Sequence, residues 1–304
     1  MMRVLAVDGG QSGIRMRHSA ASRIVEVDGV SRAGDTVALV ADAIRDAAAD
    51  LPEADRVVLG LTTAPVGTAD ADRLCSLVAT ATGAGEVWLA DDTVTSHCGA
   101  LSGGWGISLI VGTGVACLAV PEDEEPRAFD GHGYLLGDGG GSFWIGRRAI
   151  GEILRARDRG ERIALTAPAE MRYGGLDDLH VRLHDSPSPV NDIAQFAREV
   201  LDAGDRDPVA GGILDEAAQN LHETAVAAAA YVGGAAVPLA LGGRMLVSGS
   251  GLRIRLDSLL ATDGSIAARS ADADPLEGAM RLGSADSPGR YRGLVHLWNE
   301  RTAA

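Results

Sequence analysis

The sequence predicts an α/β chain of two lobes with related topology. Three observations carry this. Short apolar runs rich in β-branched residues alternate with amphipathic stretches of helical period. A strand–glycine turn–strand unit occurs twice, as RVLAVDGGQSGIRMRHS and, about a hundred residues later, as ISLIVGTGVACLAV. The length, 304 residues, gives core volume for one large or two medium domains.

Taken in order, RVLAVD reads as a strand. GIRMRHS alternates apolar and polar residues and so continues as a strand after the glycines. A dinucleotide fingerprint would need a helix there, so a Rossmann reading is weak. GDTVALVADAIRDAAADL is a strong amphipathic helix with Asp35 or Thr36 as its N-cap. RVVLGLT is a buried strand, and ADADRLCSLVATATG is a helix stopped by its glycine. EVWLADD is a strand that runs into a helix, TVTSHCGALSGG. After the second glycine unit, GHGYLLGDGGGSFWIGRRAIGEIL is a glycine cluster entering a helix, with residues 143–145 (Phe-Trp-Ile) as its anchor. Residues 188–230 read as mainly helical, and VPLALGGRMLVSG as a strand with a turn at Gly242-Gly243. DPLEGAMRLG is a short helix, and YRGLVHLWNER is read as a C-terminal helix. A boundary falls near residues 101–105, where LSGGWG suits a hinge, giving domains 1–104 and 105–304, with the C-terminal helix able to pack back on the first.

Composition excludes several classes. The formal net charge of −15 repels nucleic-acid phosphates and anionic membrane surfaces. The chain has no lysine, which removes the Walker P-loop, Schiff-base chemistry and protein-kinase chemistry. Cys75, Cys98 and Cys117 show no CxxC spacing, so neither a disulfide framework nor a zinc site is expected. Residues 225–241 are apolar, but Gly233, Gly234 and Pro238 interrupt them. They read as a buried helix, a break and a buried strand rather than a membrane span. The first residues reach Asp8 too soon for a secretory leader core, so a cytoplasmic protein is expected.

A tight glycine turn between strands presents backbone N–H groups that can hold a phosphate, and glycine admits the backbone angles and the close approach. One such turn is also an ordinary hairpin. Two, with an acidic strand end between them, suit the two sides of a nucleotide's phosphate tail. Without lysine, backbone dipoles and a divalent metal would balance the charge. Asp8 could hold that metal through water, or could simply make a local turn bond.

The motifs VDGGQSG, LADDTVTSHCGAL, LIVGTGVACLA, GHGYLLGDGGGSFWIG, LALGGRML and DPLEGAMRL resemble, in this order and over nearly the whole chain, those of the BadF/BadG/BcrA/BcrD-type ATPase and N-acetylglucosamine kinase family. That family lies within the actin–hexokinase–Hsp70 superfamily. The resemblance implies two actin-like (ribonuclease H-like) domains around an ATP cleft, with ATP and Mg²⁺ as cofactors. It implies a sugar substrate, with an amino sugar phosphorylated on its 6-hydroxyl, and a homodimer. It implies that Asp8 serves the metal, that Gly9, Gly10, Gln11 and Ser12 form the first phosphate loop, and that Gly112, Thr113 and Gly114 form the second. Gly242 and Gly243 become the adenosine-side turn, and Asp92 the catalytic base, for which a carboxylate of ordinary pKa suffices. Asp138 and Gly139 of the LGD turn, Ser31 and the Thr62-Thr63 loop fall to the substrate.

The chain departs from the family pattern at three of these places. Ala116 stands where an asparagine often follows the second loop, Arg32 follows Ser31 in place of asparagine, and Gly139 replaces a glutamate. On local signals alone, Asp91 and Asp92 both suit capping of the helix they precede. His180 and His184 stand four apart on a helix but read as a solvated face, and DEEP at residues 123–126 as a surface turn. Two other readings accompany the kinase: an ATPase activating a dehydratase or reductase through an iron–sulfur cluster, and a nucleotide-binding regulator that phosphorylates nothing.

Overall fold

The computed structural model describes residues 2–10, 13–30, 34–62 and 64–301. In chain order the elements are β1 (Val4–Gly9), β2 (Ile14–His18), β3 (Ile24–Val27), α1 (Thr36–Ala48), β4 (Arg56–Leu61), α2 (Thr68–Thr82), β5 (Glu86–Asp91) and α3 (Asp92–Ala100). There follow β6 (Gly106–Val111), β7 (Val115–Val120), β8 (Arg127–Phe129), α4 (Ser142–Asp158), α5 (Thr166–Tyr173), α6 (Leu179–His184), α7 (Pro189–Ala194), α8 (Ala197–Ala203) and α9 (Pro208–Val232). The last are β9 (Val237–Gly242), α10 (Gly251–Leu260), β10 (Ile266–Ser270), α11 (Pro275–Ser284) and β11 (Val295–Asn299). The chain divides into two compact units. The first is Met1–Ser108, Val120–Arg127 and Ala271–Ala304; the second is Leu109–Ala119 and Ala128–Ser270. Each unit is organised on a mixed α/β sheet, the actin-like architecture the sequence predicts.

The first unit holds a six-stranded sheet in the order β11-β5-β4-β1-β2-β3. β1 pairs antiparallel with β2 and parallel with β4, and β4 pairs parallel with β5. Strand period two sorts the side chains to two faces. Leu5, Val7, Ile14, Met16, Val57, Leu59, Leu61, Val87 and Leu89 point to one face and join Ile44, Leu74 and Val78 of α1 and α2 in one core. Each such side chain contributes about 1.5–3 kcal/mol relative to exposure, against about 0–1 kcal/mol for a surface ion pair, so this core dominates the unit's stability. The other face takes α3 and α11. Gly283 of α11 lies on Val4 and Val58, and Gly60 of β4 lies under Thr95 of α3. A Cβ at Gly60 would overlap the Thr95 hydroxyl, so glycine lets α3 settle onto the strand ends. Asp8 shares that parity.

The helix caps follow the sequence. Asp35 accepts the Ala38 N–H at the start of α1, and Gly83 ends α2 in the left-handed region at φ 72°. The segment YRGLVHLWNER is not the helix expected. It forms a 3₁₀ turn at Gly289–Leu294 and then β11, antiparallel to β5. Leu294, Val295, Leu297 and Trp298 fit a helical spacing as well as a strand. The open edge of β5 decides between them, because pairing there buries Trp298 in the core.

The second sheet has the order β10-β9-β6-β7-β8, with β10 parallel to β9. Helices α4 to α10 accompany it, and the long α9 starts at Pro208 behind an Asp207 cap and ends at Gly233, before β9. Residues 225–241 thus form a helix, a break and a strand, as expected. Among the described residues no helix is long and apolar enough to cross a membrane. All three cysteines are buried and unpaired, and burial holds their thiols protonated, pushing Cys98 up to about 11 and Cys75 to about 12. His180 and His184 are exposed, and residues 123–125 lie exposed in an irregular segment before β8.

Candidate active site

In the first unit, three parallel strands end together. Register aligns Asp8 with Gly60, Gly9 with Leu61, and Leu61 with Asp91. Their carboxyl ends therefore carry Asp8-Gly9-Gly10, Leu61-Thr62 and Asp91-Asp92 along one sheet edge, where open α/β sheets bind ligands.

The two adjacent aspartates have different surroundings. Asp91 is the N-cap of α3, and its Oδ1 accepts the Thr93 amide at 3.0 Å and the Thr93 hydroxyl at 2.7 Å. Asp92 lies in the first turn of α3, half-buried, and its Oδ2 accepts the Thr62 hydroxyl at 2.6 Å. Removal from water, and then the charges of Asp91 and Asp8, push the Asp92 carboxyl up to about 7, with the Thr62 bond opposing them. For the role that the resemblance implies here, a carboxylate of ordinary pKa would suffice. Burial first, and then the two neighbouring acids, make Asp92 a group that gains and loses a proton near neutrality.

Asp8 is half-buried and bound by Arg15 of β2, whose Nε and Nη2 reach Oδ2 at 3.2 and 2.5 Å. Arg15 Nη1 also bonds Asp274, the N-cap of α11, at 3.0 Å. Burial raises the Asp8 pKa while Arg15 pulls against it. Gly10 donates to the Gly13 carbonyl at 3.0 Å and accepts from Val30 at 3.2 Å, closing the first glycine turn. Gln11 and Ser12 of that turn lie outside the described residues, as do Ser31, Arg32 and Thr63.

The second unit gathers its own set. Gly112 donates to the Gly114 carbonyl at 2.9 Å, and the first amides of α4, Ser142 and Phe143, donate to the Gly112 and Thr113 carbonyls at 2.9 and 3.1 Å. With those carbonyls engaged, the Thr113 and Gly114 amides donate to no group among the described residues, which suits an anion. Asp138, buried at 8% exposure and at φ +59°, accepts the Val115 and Gly133 amides on its carboxylate, and its own amide donates to Asp130 at 2.9 Å. A Cβ on Gly114 would overlap that carboxylate, so Asp138 is the support of the second turn. Gly139 abuts Asn220 of α9; a Cβ there would stand 3.1 Å from the Asn220 amide nitrogen. Gly243, at φ +90°, packs on the Val111 carbonyl, which brings Gly242-Gly243 to the second turn.

Sequence reasoning thus finds residues that cluster within each unit: Asp8, Gly9, Gly10 and Asp92 in the first, and Gly112, Thr113, Gly114, Asp138, Gly139, Gly242 and Gly243 in the second. It misses Arg15 and Gly60. Arg15 was readable as the outward residue of an alternating strand two positions after the glycine turn, on the face of Asp8.

No sequence-family profile matches the chain, and no curated protein matches it. Solved structures do. A candidate N-acetylglucosamine kinase from Chromobacterium violaceum is 24% identical, with a TM-score of 0.71 over 93% of this chain and 99% of that one. One from Porphyromonas gingivalis is 16% identical, with a TM-score of 0.70 over the same shares. A ROK family glucokinase from Streptomyces griseus, in complex with glucose and AMPPNP, is 15% identical, with a TM-score of 0.53 over 92% of this chain and 98% of that one. The chain therefore has the two-domain actin-like fold that these sugar kinases share.

Proposed function

We propose that the chain is an ATP-dependent sugar kinase that moves the γ-phosphoryl group of ATP to a hydroxyl, the 6-hydroxyl, of an amino sugar such as N-acetylglucosamine or glucosamine. The observation that carries this reading is Asp92: a half-buried carboxylate of raised pKa, beside a glycine turn, on the strand edge of an actin-like unit. The names of the Chromobacterium and Porphyromonas structures supply the substrate class.

In this reading the ionised Asp92 accepts the proton of the attacking hydroxyl as its oxygen bonds to the γ-phosphorus. The β–γ bridging oxygen leaves with its electron pair on ADP. The Thr113 and Gly114 amides, with Gly9 and Gly10 of the first turn, hold the phosphates. Gly242-Gly243 takes the adenosine side, and Asp138-Gly139, Ser31 and Thr63 the sugar side. The residues present fit Mg²⁺: Asp8 is a hard oxygen donor, and both Arg15 bonds fall on one of its oxygens. Among the described residues no cluster of three or more His, Cys, Asp or Glu could hold a metal by itself, which suits an ion that arrives with the triphosphate. When bound, Mg²⁺ neutralises phosphate charge. Cys75, Cys98 and Cys117 lie in three different elements, α2, α3 and β7, rather than in the cysteine-bearing loop that a bridging cluster would need, which favours the kinase over the iron–sulfur activator.

Coupled ADP release tests the reading, with MgATP against glucosamine, N-acetylglucosamine, N-acetylmuramic acid, glucose, N-acetylmannosamine and a no-sugar control. Sugar-dependent release supports it. Release without sugar moves the chain to the ATPase class, and nucleotide binding without release to the regulators.

A further inference from the structure

Thr62 touches both working parts of the first unit. Its backbone amide donates to the Gly9 carbonyl at 3.0 Å, fixing it to the first glycine turn. Its hydroxyl donates to Asp92 Oδ2 at 2.6 Å. The space its hydroxyl occupies exists because residue 10 is glycine: a Cβ there would stand 2.7 Å from Thr62 Oγ1. The strand supports the same direction. Thr62 follows Leu61 of β4, whose partner in register is Asp91, and it has the parity of Gly60, the residue beneath α3. From the other side, the Thr95 hydroxyl returns to the Asp92 carbonyl at 3.1 Å, so backbone and carboxylate of Asp92 are each held by a threonine.

We propose that Thr62 is a positioning residue, which locks the Asp92 carboxylate in one orientation against the first glycine turn and so aims it at the acceptor hydroxyl. A valine at this place keeps the branched shape and the backbone bond to Gly9 but cannot donate to the carboxylate. A serine keeps the donor. This rests on the kinase reading for its effect on turnover, but the orientation itself does not depend on that reading.

The test is a crystal structure and a kinetic analysis of Thr62→Val and Thr62→Ser beside the wild type. The Asp92 carboxylate is expected to turn away from its wild-type position in Thr62→Val and to keep it in Thr62→Ser. Turnover is expected to fall about 10–100-fold in Thr62→Val, the scale of a small misplacement of a reacting group, with KM for ATP changed less than about twofold and with Thr62→Ser near wild type. An unchanged carboxylate in Thr62→Val overturns the proposal whatever the kinetics. A turned carboxylate with wild-type turnover overturns it too. If no sugar supports ADP release, the kinase reading falls, and the Thr62→Val structure still decides whether Thr62 sets the orientation.

Discussion

Asp91 and Asp92 are neighbours in sequence and differ in work: Asp91 caps α3 through the Thr93 amide at 3.0 Å, while Asp92 meets the Thr62 hydroxyl at 2.6 Å. Substitution should separate them. Asp92→Asn is expected to lower kcat by roughly 10²–10⁴-fold, the scale of a lost general base. Asp91→Asn keeps a capping side chain and should leave kcat within about tenfold, with stability changed by under about 1 kcal/mol. Steady-state kinetics and urea titrations of both variants check this; a fully active Asp92→Asn would assign the base elsewhere.

The raised Asp92 pKa also makes a stability claim. In the unfolded chain the group ionises near 3.8, and in the fold near 7. Between these values the folded state holds the proton more tightly, so ionisation weighs against folding above about pH 7 and costs nothing below about pH 4. Asp92→Asn should therefore be more stable than wild type at pH 8, by roughly 1–3 kcal/mol, with the gain shrinking as pH falls through 7 and absent below 4. Urea midpoints across that range measure it.

Besides the place on the sugar side proposed for it, Asp138 should act as a structural support of the second glycine turn. Its replacement by alanine strips acceptors from the Val115 and Gly133 amides and puts alanine at φ +59°, where Asp and Asn are better tolerated. A loss of roughly 1–3 kcal/mol is expected, with weaker ATP binding, while Asp138→Asn, which keeps an acceptor oxygen, loses less. Calorimetric titration with a non-hydrolysable ATP analogue, together with unfolding, tests both halves.

His97 of α3 is buried, its Nε2 on the Gly106 carbonyl at 3.1 Å and its Nδ1 at the Tyr291 hydroxyl at 2.8 Å. The first bond makes Nε2 the protonated nitrogen, so Nδ1 accepts from Tyr291. Burial pushes its pKa down to about 4. Above about pH 6.5 both states are neutral; below it the unfolded chain takes a proton that the fold refuses. His97 should thus remove roughly 3 kcal/mol of stability between pH 6.5 and 4. His97→Asn should be less stable at pH 8, yet lack that part of the acid slope.

Much of the first unit was legible in sequence because its strands are buried runs and its helices carry local caps. Asp35, Gly83 and the Asp91-Asp92 pair all announce themselves within a few residues. Tertiary choices were not legible. Val295–Asn299 becomes a strand only because β5 has an open edge, which lies two hundred residues away in the chain. The place of Arg15 on the face of Asp8 follows from strand alternation, but its bridge to Asp274 exists only once α11 returns from the far end of the chain. The raised pKa of Asp92 likewise needs its burial in the fold, and then Asp8 of β1 brought beside the Asp91-Asp92 pair.

The return of residues 271–304 to the first unit has a consequence for biosynthesis. While the ribosome is still making the middle of the chain, the β5 edge stands bare and Val4 and Val58 lack the helix α11 that covers them. The second unit's segments are complete by Ser270, before α11 and β11 exist. The half that begins first in the message therefore closes last, and the nascent protein carries its acidic edge unfinished until Val295–Asn299 have been translated.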